Sequence, residues 1–120
     1  MLSDPQSITY NTVAKSLARI SNAVDNSVYR LNDTAGQAIY TLTLQHQFKS
    51  RNRVVARLQR ESIATDPLSA STNIETSMAG TFTLDFPNAG LTPVDAQYLG
   101  SALVAFLTSA VLLRLANGET

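Results

Sequence analysis

From Tyr40 the chain alternates. Tyr40, Leu42, Leu44, His46 and Phe48 fall on one side, and Thr41, Thr43, Gln45, Gln47 and Lys49 on the other. Strict period two, rich in Thr, Leu and aromatics, predicts a half-buried strand. After the polar, turn-like Ser50-Arg51-Asn52, a second run sets Val54, Ala56 and Leu58 against Arg53, Val55, Arg57 and Gln59. Two alternating runs joined by a short polar link predict a β-hairpin. A third run, residues 81–86, points Phe82, Leu84 and Phe86 inward. Between the second and third runs, Thr65 to Asn73 is small, polar and Pro-containing, which predicts a flexible loop of about nine residues. Asn88-Ala89-Gly90 then ends the sheet.

The C-terminal segment carries a helix signal: Thr92 as N-cap, Pro93 at the first helical position and Asp95 three residues after the cap. The 18 residues from Ala96 to Leu113 hold no charge. As one helix they would span about 27 Å, close to a membrane span. Gln97, Gly100, Ser101, Thr108 and Ser109 dilute that reading, and Arg114 alone is a weak topology signal. A buried helix fits better, with a break at Thr108-Ser109, where a second N-cap is available, and a stop at Asn117-Gly118. A helix apolar nearly all round needs cover on more than one side, yet the sheet offers a single apolar face. The expected cover is another copy of the chain, most simply a two-fold dimer with exchanged or interlocked helices.

The N-terminal part supports two readings. Tyr10, Val13, Leu17, Ile20 and Val24 have helical spacing and favour a helix over residues 12–24, whereas Ile8-Tyr10 and Ser27–Leu31 fit short strands. Asn32 to Gly36 reads as a turn. Asn32-Asp33-Thr34 matches a glycosylation sequon, which is discounted because the opening residues do not read as a secretory signal.

Length and composition narrow the class. The 120 residues suit one domain, 1–120, and 44% apolar against 15% charged residues excludes intrinsic disorder. With no Cys and one His (His46), neither a disulfide framework nor a zinc or haem cluster is expected, and no metal or cofactor is assigned. Asp85 and Asp95 are too isolated for a paired acid and base, so an enzyme is not expected. His46, on the inward side, reads as a packed histidine, and the Phe82, Leu84, Phe86 stripe reads as core.

The formal net charge is zero, but residues 1–60 carry +5 and residues 61–120 carry −5. Five of the nine cations lie between Lys49 and Arg60, and no acid occurs from Thr34 to Arg60. Such a run is commonly a solvated face, and Arg51 at a hairpin tip also serves solubility. Here the alternation gathers Thr43, Gln45, Gln47, Lys49, Arg53, Arg57 and Gln59 on one surface. Cations for phosphates beside amides and hydroxyls for sugars or base edges are the mixture that RNA contacts use. That surface has no aromatic residue for stacking bases, unlike an ordinary single-strand platform.

The order is short N-terminal elements, a polar-faced hairpin, a Pro-containing loop, a further strand and a capped apolar helical segment. It resembles the coat proteins of single-stranded RNA bacteriophages of the levivirus type. The resemblance covers nearly the whole chain and is strongest over Ile39 to Gln59, IYTLTLQHQFKSRNRVVARLQ, and over Thr81 to Pro87 with the helix that follows. It implies an α+β fold: an N-terminal β-hairpin and antiparallel sheet, then a C-terminal helical segment packing on a partner subunit's sheet in an interlocked homodimer. It also implies an icosahedral shell, located in the virion and assembled in the host bacterial cytoplasm. The single-stranded RNA genome would meet the polar sheet face, with an RNA stem-loop as a possible specific target, and no membrane is involved. Thr43, Gln45, Gln47, Arg53, Arg57 and Gln59 inherit the RNA-facing role, with Lys49 and Arg51 at the hairpin tip and Thr81 and Thr83 on the next strand. Family members of the best-known type place a Tyr and an Asn near the start of that strand to grip a loop base; this chain has Ala79 and Thr81. The resemblance places the loop Thr65–Asn73 at the shell's symmetry axes. The alternative function is a small dimeric RNA-binding translational regulator that builds no shell.

Overall fold

The computed structural model describes residues 2–34, 36–66 and 68–120, apart from the side chains of 64–66 and 69–73. Six strands, β1 (Gln6–Tyr10), β2 (Val13–Asn22), β3 (Asn26–Asp33), β4 (Ala38–Phe48), β5 (Arg51–Asp66) and β6 (Ser69–Pro87), form one antiparallel sheet in chain order. Two helices follow, α1 (Pro93–Phe106) and α2 (Ser109–Ala116). This is the α+β order expected of the chain.

The N-terminal helix is overturned in favour of the hairpin that the resemblance implied. Tyr10 pairs with Val13 across the two-residue turn Asn11-Thr12, both at positive φ (49° and 66°). That is the backbone of a type I′ hairpin, which Asn suits and β-branched Thr does not. The helix-like spacing has a local cause. The β2–β3 register shifts between Arg19 and Ser21, so Ile20 is an extra residue that breaks strict alternation.

The predicted β4–β5 hairpin is present with its tip moved by one residue. Phe48 pairs with Asn52, leaving Lys49-Ser50-Arg51 at the turn, and Asn88 Nδ2 donates to the Lys49 carbonyl (2.5 Å). The segment 65–73 is corrected. β5 runs on to Asp66 and β6 begins at Ser69, with Thr65 opposite Asn73 and Asp66 opposite Ser69 across a register shift, so strand ends take up most of the expected nine-residue loop. Pro67 lies outside the described residues. The third strand is accordingly 19 residues long rather than the six that alternate. Asp33 still turns the chain after β3, its Oδ1 accepting from Gly36 N (3.1 Å), while Ala35 of that turn lies outside the described residues.

One sheet face is apolar. Leu17, Tyr29, Ala38 and Tyr40 are buried together, flanked by Ile8, Tyr10, Leu31, Leu42 and Leu44. Three cations pack at this core. Arg19 donates to the Tyr29 hydroxyl through Nη2 (3.0 Å) and lies over its ring. Lys15 Nζ meets Asp33 Oδ2 at 2.5 Å, which raises the ammonium pKa against partial desolvation. Arg60 lies 4.8 Å over the Tyr10 ring and donates to the Tyr40 hydroxyl (3.4 Å), which raises its pKa further. His46 faces the same side and stacks on Phe48.

The helices follow their caps. Thr92 and Asp95 form a capping box, Thr108 accepts from Val111 N (3.4 Å), and α1 and α2 meet at a 70° bend. Among the described residues no single helix is long and apolar enough to cross a membrane. Ala96 and Gly100 seat α1 on β6, where Gly100 lies against Phe82 and Leu84. Elsewhere the helices are bare: Tyr98, Leu99 and Phe106 are each more than 60% exposed. The radius of gyration is 17.2 Å, against roughly 14 Å for a compact domain of this length.

Candidate nucleic-acid interface

Directly paired residues on antiparallel strands share a face, so the register assigns the second sheet face residue by residue. Across β4, β5 and β6 it reads Thr41-Gln59-Ala79, Thr43-Arg57-Thr81, Gln45-Val55-Thr83 and Gln47-Arg53-Asp85. Nine of the ten expected residues, Thr43, Gln45, Gln47, Arg51, Arg53, Arg57, Gln59, Thr81 and Thr83, therefore lie on one surface, and Lys49 sits exposed in the turn at its end. The two β-hairpins place them there because every second residue of β4 and β5 is needed by the core.

Three members of this face were not assigned from sequence. β3 brings Arg30 opposite Thr41 and Asn26 opposite Gln45, extending the polar surface by a strand. Arg30 is legible only once β3 is registered, because its own strand alternates poorly. The third is Asp85, which stands within the cationic stripe. Its Oδ1 accepts from Arg51 Nε (3.1 Å) and its Oδ2 lies 3.6 Å from Arg53 Nη2. Arg30 and Arg57 have no ion pair among the described residues. Arg60, the fifth cation of the dense run, points the other way, into the aromatic core.

Charge is graded along the face. Cations cluster toward the β4–β5 turn, while Glu61 and Glu75 stand at the opposite end, where Gln59 Nε2 donates to Glu61 Oε1 (3.0 Å). The arrangement can hold a polyanion over the β4–β5 half of the sheet: exposed guanidinium groups supply phosphate contacts, and Thr and Gln side chains supply hydrogen bonds to sugars or base edges. No group of three or more metal-ligating side chains occurs among the described residues.

No family model and no curated protein matches this sequence. Solved structures do. The virus-like particle of bacteriophage AVE019 superposes with a TM-score of 0.78 at 15% identity, covering 100% of this chain and 98% of that one. The virus-like particle of Beihai levi-like virus 21 gives 0.73 at 11% identity, over 98% and 95% of the two chains. The bacteriophage GA capsid protein gives 0.64 at 13% identity, over 96% and 95%. From its first strand to its second helix, the chain has the fold of the levivirus-type coat proteins of single-stranded RNA bacteriophages.

Proposed function

We propose that this protein is a capsid protein that dimerises, assembles into an icosahedral shell and holds single-stranded RNA against the polar face of its sheet. The observation that carries it is the opposition of the two faces within a fold shared with particle-forming proteins. One face carries α1, the N-terminal hairpin and the core; the other carries an open field of Arg, Thr and Gln. The RNA-facing residues are Thr43, Gln45, Gln47, Lys49, Arg51, Arg53, Arg57, Gln59, Thr81 and Thr83, joined by Arg30.

Dimerisation is supported by surface area. The chain exposes 8788 Å², against roughly 6,300 Å² for a folded monomer of this mass. The excess, on the order of 2,500 Å² per chain, is what an obligate interface buries. It coincides with bare apolar helix faces and with the unpaired outer edge of the long strand β6. A second copy would extend the sheet along that edge and lay its helices over the groove bounded by Leu44, His46, Phe48 and Val54. The virion location and assembly in the host bacterial cytoplasm go with this role.

Electron microscopy of the expressed protein tests the reading: closed particles support it, and a stable dimer as the end state leaves only the regulator that builds no shell. Arg53→Glu with Arg57→Glu should lower the RNA content of purified material, read from its absorbance ratio. Unchanged RNA content refutes the assignment of the face.

A further inference from the structure

We infer that Asp85 is a positioning residue that holds Arg51 and Arg53 and thereby limits how tightly and how indiscriminately the polar face binds RNA; this rests on the function proposed above. Asp85 is the one carboxylate on β6 standing directly opposite an arginine of the stripe. Both of its oxygens are engaged, Oδ1 by Arg51 Nε and Oδ2 by Arg53 Nη2, and its side chain is 35% exposed. The two arginines remain about half exposed, so their outer N–H groups stay open to a ligand while their positions are constrained.

The consequence is electrostatic. Arg51, Arg53 and Asp85 together present +1 rather than +2, and a phosphate approaching either arginine must share it with the carboxylate. Arg57 and Arg30, without an ion pair among the described residues, present their full charge in the middle of the sheet, beside the Thr and Gln groups able to read sugars and base edges. Phosphate contacts add affinity without sequence information, so a carboxylate that weakens them at the stripe's end favours RNAs that also satisfy the polar centre.

The test is Asp85→Asn in the full chain, which keeps shape and removes charge, with Arg57→Gln as a reference. Binding of a short fluorescent oligouridylate, and of an RNA hairpin of equal length, is measured across a salt series. Freeing about one phosphate contact should tighten oligouridylate binding severalfold at low salt. It should also steepen the salt dependence by about 0.7 in log–log slope, an extra loss of roughly 2.6-fold over a fourfold rise in salt. The preference between the two RNAs should narrow, and all three effects should vanish when Arg51→Gln and Arg53→Gln are added. If the wild type binds RNA and Arg57→Gln weakens it, while Asp85→Asn leaves affinity and slope unchanged, the role of Asp85 is overturned and the face stands. If neither the wild type nor Asp85→Asn binds either RNA, the face itself is wrong. Should Asp85→Asn fold poorly, Asp85→Ser, which also removes the charge, must give the same steeper slope.

Discussion

Gly100 controls how closely α1 approaches the sheet, and two substitutions there measure that distance. Gly in a helix interior costs about 0.5–1 kcal/mol relative to Ala. A methyl group built at Gly100 would lie 3.4 Å from Phe82 Cζ and 3.9 Å and 4.0 Å from the two Leu84 methyl carbons, which is ordinary contact. Gly100→Ala therefore gains the helix term and adds apolar burial worth at most about 0.8 kcal/mol, for a stabilisation of about 1 kcal/mol. With an m-value of about 1.5 kcal/mol/M this moves the urea midpoint up by roughly 0.5–1 M. Gly100→Leu drives further atoms into the Phe82 ring, and overpacking of about 1–3 kcal/mol sets it below Gly100→Ala by at least about 1 kcal/mol. Because the chain contains no Trp, unfolding is followed by far-ultraviolet circular dichroism, at one fixed protein concentration because association shifts apparent stability. Equal stability of the Leu and Ala variants would refute the seating of α1 on β6. A loss of more than about 1 kcal/mol in Gly100→Ala would mean that the helix sits closer than this geometry allows.

Two further substitutions address local backbone and charge. Thr12, β-branched at φ 66°, holds a strained turn position, so Thr12→Gly should stabilise the chain by about 1 kcal/mol in the same urea assay. Asp95 accepts hydrogen bonds from Thr92 N (2.9 Å) and Oγ1 (3.0 Å), which lower its pKa in the folded state. A depressed carboxylate pKa stabilises fully above the ordinary value of about 3.9 and loses that contribution as pH falls through the lower folded value. The urea midpoint of the wild type should therefore decline below about pH 4 more steeply than that of Asp95→Asn; parallel declines would contradict the capping role.

The polar face was legible because β4 and the start of β5 alternate, with Val55 the one apolar residue among the polar positions from Arg53 to Gln59. Once Tyr40, Leu42 and Leu44 face the core, Thr43, Gln45, Arg53 and Arg57 have only the opposite side to occupy. The helix caps were legible for a similar reason, since Thr92, Pro93 and Asp95 each act within one turn. The N-terminal hairpin was not, because the extra residue at Ile20 gives Leu17, Ile20 and Val24 a helical spacing inside an extended chain. Nor was the length of β6, whose first half is polar and small and meets its partner through backbone bonds. Asp85 is one of three strand residues between Phe82 and Phe86, and only the β5–β6 register reveals that it faces Arg53 rather than solvent alone.

The cluster around Leu17, Tyr29, Ala38 and Tyr40 draws all its members from residues 8–44. A nascent chain can thus close this cluster before the ribosome has finished the long β5–β6 ribbon. The long β5–β6 ribbon and the two helices, with their exposed apolar faces, follow that scaffold in the chain.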